Sequence, residues 1–172
     1  CLFDFRFVVW TLCTLTINCK PSPVNLSSKQ YSLSINSSTI SVGLVANPVS
    51  ARDIRRVIAN ATSLQVSDRA NIVMRVLAAV RACGVQRVLM MPENGGIRSL
   101  LKRGLQREQR LGENRFPELE MTNTQISGTV ADTFAATKAM LDSGVKAIVV
   151  LGGDGTHRAV AKFCGQVPIA GI

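Results

Sequence analysis

The sequence predicts an α/β fold: a doubly wound, mostly parallel sheet with helices on both faces. Three observations predict it. From residue 41 onward, short apolar runs alternate with amphipathic stretches of roughly 10–15 residues, the pattern of successive βαβ units. The runs are almost continuously apolar, as strands covered on both faces must be. Glycines stand directly after the helical stretches, where a chain leaving a helix turns left-handed.

The elements follow in order. Residues 41–46 (SVGLVA) form a strand closed by Asn47-Pro48. Residues 67–83 repeat Ala70, Val73, Met74, Leu77 and Val80 at helical spacing, and Gly84 stops the helix. Residues 85–91 (VQRVLMM) form the next strand, ended by Pro92 and the Gly95-Gly96 turn. In the helix over 97–111, Ile97, Leu100, Leu101 and Leu105 face inward, while Lys102, Arg103, Arg107 and Arg110 face out. Residues 119–121 make a short, weak strand, and 129–143 a helix stopped by Gly144. Residues 146–151 (KAIVVL) are the clearest buried strand; Gly152-Gly153-Asp154-Gly155-Thr156 and a helix to about Cys164 follow. Residues 168–172 close the series. Ligands of such sheets bind beyond the carboxyl ends of the strands, so the candidate loops are 47–52, 92–96, 123–128 and 152–156.

The chain has 172 residues, 47% of them apolar, and twenty Lys+Arg against eleven Asp+Glu, a formal net charge of +9. It has the length of one domain and enough aliphatic residues to exclude intrinsic disorder. His157 is the only histidine, which excludes a histidine-built metal site. Five cysteines without CxxC spacing argue against a disulfide framework or a zinc ribbon, and fit a reducing, cytoplasmic setting. Aromatic residues are only 5% and no nucleic-acid motif is present, so a nucleic-acid partner is not expected. Most of the basic charge reads as a solvated face, with a phosphate-attracting site as the functional alternative.

Residues 1–40 are expected to be a non-native or poorly ordered extension, and 41–172 the folded domain, truncated at its C-terminus. The apolar run 7–17 is shorter than the roughly 20 residues a spanning helix needs; a membrane-proximal leader is the alternative, but no membrane partner is expected of the domain. Residues 20–39, rich in Ser, Asn and Pro, read as linker.

The loop after 146–151 carries the chemistry. Gly152, Gly153 and Gly155 lack Cβ atoms, so the turn can take positive φ and its N–H groups can approach phosphate oxygens. The helix beginning near Thr156 adds amides and the positive end of its dipole. A carboxylate among those glycines would repel phosphate. It makes sense if Asp154 accepts a proton from an attacking hydroxyl or helps hold Mg²⁺. The loop is neither a Walker A sequence nor a Rossmann GxGxxG. A turn whose aspartate merely caps a helix is the alternative, but three glycines in four positions exceed what a cap needs.

Gly152-Gly153-Asp154-Gly155-Thr156 after an apolar strand resembles the ATP-NAD kinase family and its superfamily relatives, the diacylglycerol and sphingosine kinases and 6-phosphofructokinase. Gly43-Leu44-Val45-Ala46-Asn47-Pro48 with Asp53-Ile54-Arg55-Arg56, Ser127-Gly128-Thr129-Val130-Ala131-Asp132-Thr133, and Val149 to Arg158 are most similar to the branch found in acetoin-catabolism operons. The resemblance implies ATP and Mg²⁺ as cofactors, NAD as the substrate phosphorylated on its 2′-hydroxyl, Asp154 as the catalytic carboxylate, and Asn47, Gly152, Gly153, Gly155 and Thr156 as phosphate contacts. It also implies an absent C-terminal β-rich domain that binds the acceptor and mediates homo-oligomerisation. A lipid kinase or a non-catalytic nucleotide-binding accessory protein are the alternatives.

Ser50 with Asp53, and Thr129 with Asp132, both match the helix capping box. Capping explains them, while their place on ligand-side loops leaves Thr129 and Asp132 as nucleotide-binding candidates. Arg52, Arg55 and Arg56 could neutralise phosphates or be solvated helix charges. His157 reads as a surface or supporting histidine, with a proton shuttle as the alternative. Cys83 and Cys164 read as small core residues; the loop 92–96 is assigned no role.

Overall fold

Strand β1 (Ser41–Ala46) is buried at every position and forms the middle of the sheet. The computed structural model describes residues 39–47, 65–112 and 114–172. Strand β2 (Arg87–Met90) runs parallel to β1 on one side, with Ser41 opposite Arg87 and Leu44 opposite Met90. Strand β4 (Ile148–Leu151) runs parallel on the other, with Gly43 opposite Ile148 and Ala46 opposite Leu151. Strands β3 (Glu118–Met121) and β5 (Ile169–Gly171) form the edges, giving the order β3-β2-β1-β4-β5. All four pairings are parallel, so the doubly wound α/β reading is correct.

Alternate residues of β1 serve two cores. Val42, Leu44 and Ala46 pack with helices α1 (Val66–Ala82) and α2 (Ile97–Arg110), among them Val73, Leu77, Ile97 and Leu101. Val45 joins Leu89, Ile148, Val150, and Ala136, Met140 and Val160 of helices α3 (Val130–Asp142) and α4 (Asp154–Ala161). The absent side chain of Gly43 brings α3 close: a Cβ there would lie 2.8 Å from Met140 Sδ. The chain winds outward from β1 through β2 to β3, then crosses back to β4 and β5. The strand after β1 lies on one side of it and the strand after β4 on the other, and in such sheets ligands bind at the carboxyl ends where the order reverses.

Glycines end the helices as expected, with φ of 86° at Gly84 and 73° at Gly144. Several bounds differ from the sequence reading. Two strands are shorter than read: β2 is Arg87–Met90 against 85–91, and β4 is Ile148–Leu151 against 146–151. Helix α1 spans Val66–Ala82 rather than 67–83, because Asp68 accepts the Gln65 N–H at 3.3 Å and starts the helix one residue early. Helix α4 stops at Ala161, short of Cys164. Cys83 and Cys164, just beyond helix ends, are half-buried rather than core. Strand β3 looked weak for a physical reason: it is an edge, and Glu118 and Glu120 keep it charged against further pairing. Arg87 reaches across to Glu120, and that hydrogen bond holds the Glu120 carboxyl below its usual range despite the opposing effect of burial. Residues 1–38, including the apolar run, and 48–64, including Ser50, Arg52, Asp53, Arg55 and Arg56, lie outside the described residues. No helix among the described residues is long and apolar enough to cross a membrane.

Leu77 has no exposed surface and Leu111 is 64% exposed. Equilibrium urea unfolding should therefore show Leu77→Ala losing about 2–5 kcal/mol, while Leu111→Ala changes stability by less than about 0.5 kcal/mol.

Candidate functional site

The site grows from the last bond of the β1–β4 ladder. Asn47, one residue past β1, donates its backbone N–H to the Leu151 carbonyl at 3.1 Å. Its side-chain Nδ2 donates to Thr156 Oγ1 at 3.4 Å, so the end of β1 is tied to the helix that follows β4. From below, Arg69 of α1 donates Nη1 to the Asn47 carbonyl at 2.7 Å, and its side chain is 5% exposed. Arg69 received no role from the sequence. The available signal was its spacing: with Val73, Val76 and Val80 it lies on the buried face of α1, where a charge needs a reason.

The glycine loop is built around Thr156. A Cβ on Gly152 would stand 2.7 Å from Thr156 Cβ and 2.8 Å from its Oγ1, so Gly152 is required by close approach. Gly153 is the N-cap of α4, at φ −84°, and its carbonyl accepts N–H bonds from Thr156 at 2.9 Å and His157 at 3.1 Å. The expectation of left-handed glycines is corrected here. The positive-φ glycines of the described chain stand elsewhere, and Gly152, Gly153 and Gly155 are not among them. They provide room rather than an unusual turn. A side chain at Gly155 would meet nothing within 4 Å, so that position is open in front of the helix start.

Helix α4 begins at Asp154 rather than near Thr156. Asp154 and Gly155 are both exposed in its first turn, where amides have no partners within the helix and the dipole favours anions. Thr156 is 5% exposed, committed to Asn47 rather than facing outward. His157 places Nδ1 3.1 Å from the Gly153 carbonyl; the tautomer protonated at Nδ1 donates to it. The other side of the ring lies against β5, where a Cβ on Gly171 would come 2.5 Å from Nε2. The histidine is thus wedged between the loop and the sheet edge, in keeping with a supporting role.

Thr129 and Asp132 stand apart from this group, in the loop after β3. Thr129 caps α3, accepting the Ala131 N–H at 3.3 Å. Asp132 accepts from Ser127 N at 2.9 Å, Ser127 Oγ at 2.6 Å and Gly128 N at 2.8 Å. Burial pushes the Asp132 carboxyl up; the hydrogen bonds from the Ser127 hydroxyl and the 127–129 amides outweigh it, and the carboxyl rests below its ordinary value. The hydrogen bonds of both side chains stay within residues 127–132: Thr129 caps the helix through the Ala131 amide, and Asp132 closes the turn before it rather than completing a capping box. The structure therefore brings together Asn47, Gly152, Gly153, Asp154, Gly155 and Thr156, with Thr129 and Asp132 on a separate loop. The basic groove of about 450 Å³ lined by Arg103, Arg107 and Arg110 is near the far end of α2, towards the opposite edge of the sheet.

Residues 42–172 match the family described as the ATP-NAD kinase N-terminal domain. The chain belongs to this family. The ATP-NAD kinase domain seen here is similar to acetoin catabolism protein X of Cupriavidus necator, with 56% identity over 131 residues, 76% of this chain and 36% of the relative. The chain spans about a third of the length of that relative. No solved structure matches it.

Two outcomes follow for this ATP-NAD kinase domain. The contribution of Asp132 is complete above the ordinary aspartate range, because folding lowers its value, and is lost as pH falls through that lowered value. Thermal unfolding from pH 7 to pH 2 should show Asp132→Ala less stable by roughly 1 kcal/mol at neutral pH, with the gap closing in acid. At the loop, Gly152→Ala should cost about 1–3 kcal/mol by overpacking against Thr156, whereas Gly155→Ala should be neutral or stabilising by up to about 1 kcal/mol; urea midpoints distinguish the two.

Proposed function

We propose that this domain is the nucleotide-binding half of an ATP-dependent kinase that transfers the γ-phosphoryl group of ATP to the 2′-hydroxyl of the adenosine ribose of NAD, giving NADP. One observation carries the reading. At the carboxyl ends of β1 and β4, Asn47 and Thr156 are joined over a glycine loop whose helix presents open amides and one exposed carboxylate. The amides at Gly153 to Gly155 bind phosphate oxygens, with Gly155 leaving the approach clear. Asn47 and Thr156 hold the loop to β1, and Thr129 and Asp132 border the nucleotide from the next loop. Asp154 accepts the proton of the attacking hydroxyl, which aligns the hydroxyl for in-line transfer.

Among the described residues, no three His, Cys, Asp or Glu side chains gather as a metal site. Mg²⁺ brought in with ATP would have Asp154 as the nearest carboxylate of the loop, and helping to hold the ion is the alternative to its role as proton acceptor. When bound, the ion neutralises charge on the phosphoryl oxygens. The full-length protein is read as a cytoplasmic homo-oligomer whose further domain supplies the acceptor site.

The test is ATP-dependent NADP formation by the full-length protein. Asp154→Asn should lower kcat about 10²–10⁴-fold and change ATP affinity far less. Equal rates would remove Asp154 from the chemistry, and tight ATP binding without turnover would favour the accessory-protein reading. Gly155→Ala, although stable, should weaken ATP binding about tenfold by crowding the phosphates.

A further inference from the structure

The carboxyl end of β2 carries a polar atom whose bonding the fold leaves unmet. Glu93 is 7% exposed. Its Oε1 accepts the Arg98 N–H at 2.6 Å and so caps α2, whose N-cap is the left-handed Gly96. Its Oε2 is also buried and has no hydrogen-bond partner. Two other buried side-chain atoms share that condition, Arg87 Nε and Glu108 Oε2, but their side chains are already paired with Glu120 and Arg115. Among the described residues Glu93 has no such ion pair.

Capping needs one oxygen, and a Gln, Ser or Asn could supply it without burying a second charged acceptor. Protonation would not remove the demand, since it exchanges an unmet acceptor for an unmet donor. The buried carboxylate oxygen therefore calls for a donor other than those of the described residues. A phosphate is excluded, because Oε1 already fills the helix start and Oε2 would repel an anion. A metal is disfavoured, because no three ligating side chains gather among the described residues. A hydroxyl remains.

The place fits one hydroxyl-bearing class. Met91 N donates to the Leu44 carbonyl at 2.9 Å, so Glu93 stands two residues beyond the last rung between β1 and β2, on the same sheet edge as Asn47. The nucleotide proposed above lies at the same carboxyl edge of the sheet, and the ribose hydroxyls it brings there are donors of the kind that acidic side chains accept in other doubly wound nucleotide sites. We propose that Glu93 Oε2 is the acceptor for a ribose hydroxyl of the bound nucleotide, and selects ribonucleotides over their deoxy counterparts. The assignment rests on the nucleotide site proposed above and deepens it. Oε2 is buried, so a hydroxyl that bonds to it has to displace part of its cover.

Glu93→Gln is the informative variant: it keeps an oxygen for the Arg98 N–H and turns the unmet acceptor into a donor. Calorimetric titration of the full-length protein compares ATP with 2′-deoxy- and 3′-deoxy-ATP, and NAD with its 2′-deoxyadenosine analogue. The two arms tell which nucleotide brings the ribose. The wild type should prefer the ribose form about tenfold or more in one arm. Glu93→Gln should lose that preference, bind the deoxy form as before and unfold no earlier than the wild type. A preference unchanged by Glu93→Gln overturns the role of Glu93 and leaves the kinase reading standing; wild-type protein that binds neither nucleotide overturns both. If the variant does not fold, wild-type protein labelled with ¹³C at glutamate carboxyls gives the same decision. The Glu93 signal must move with the ribonucleotide and stay still with the deoxy form, and any other result overturns the proposal.

Discussion

The pairing of β1 with β4 is the constraint on which the rest of the molecule depends. These strands are neighbours in space although, among the described residues, three helices, two strands and their connections separate them in the chain. Their ladder runs from Gly43 opposite Ile148 to Ala46 opposite Leu151 and is extended by the Asn47 amide. That last bond places the Asn47 side chain over Thr156. Burial on both sides keeps the register: a slip by one residue would exchange the sets of side chains facing the two cores.

The loop after β4 is held firmly although it carries few side chains. Gly152 gives way to Thr156, Thr156 bonds to Asn47, and Arg69 supports Asn47 from α1. Each contact is modest alone. Together they link α1, β1 and α4 around one turn, so the first amides of α4 are oriented before any ligand arrives. Preorganisation of this kind makes backbone donors effective, because no reorganisation is needed when charge appears in front of them.

Much of this was legible in the sequence. Continuous apolar runs such as 41–46 and 146–151 can only be doubly covered strands, and Gly84 and Gly144 marked helix ends that the backbone bears out. The Gly152–Thr156 segment pointed to the site, because a cluster of glycines around an acid has few structural uses. The conformation of those glycines was not legible, since close approach and left-handed turning both select glycine and leave the same letters. Arg69 and Glu93 were also missed. Arg69 could have been found from its spacing on the apolar face of α1, whereas Glu93 sits in an ordinary turn and only tertiary packing shows that its carboxyl is buried. Thr129 and Asp132 show the converse: their spacing signalled a local capping role, and their hydrogen bonds are local, Thr129 capping the helix and Asp132 holding the turn at Gly128.

The meeting of His157 with Gly171 has a mechanical consequence. With the imidazole touching the Gly153 carbonyl on one side and the bare Cα of an edge strand on the other, no slack remains between the rim of the sheet and the turn. Position 171 is therefore closed to any residue with a side chain unless the imidazole gives up its place beside the turn.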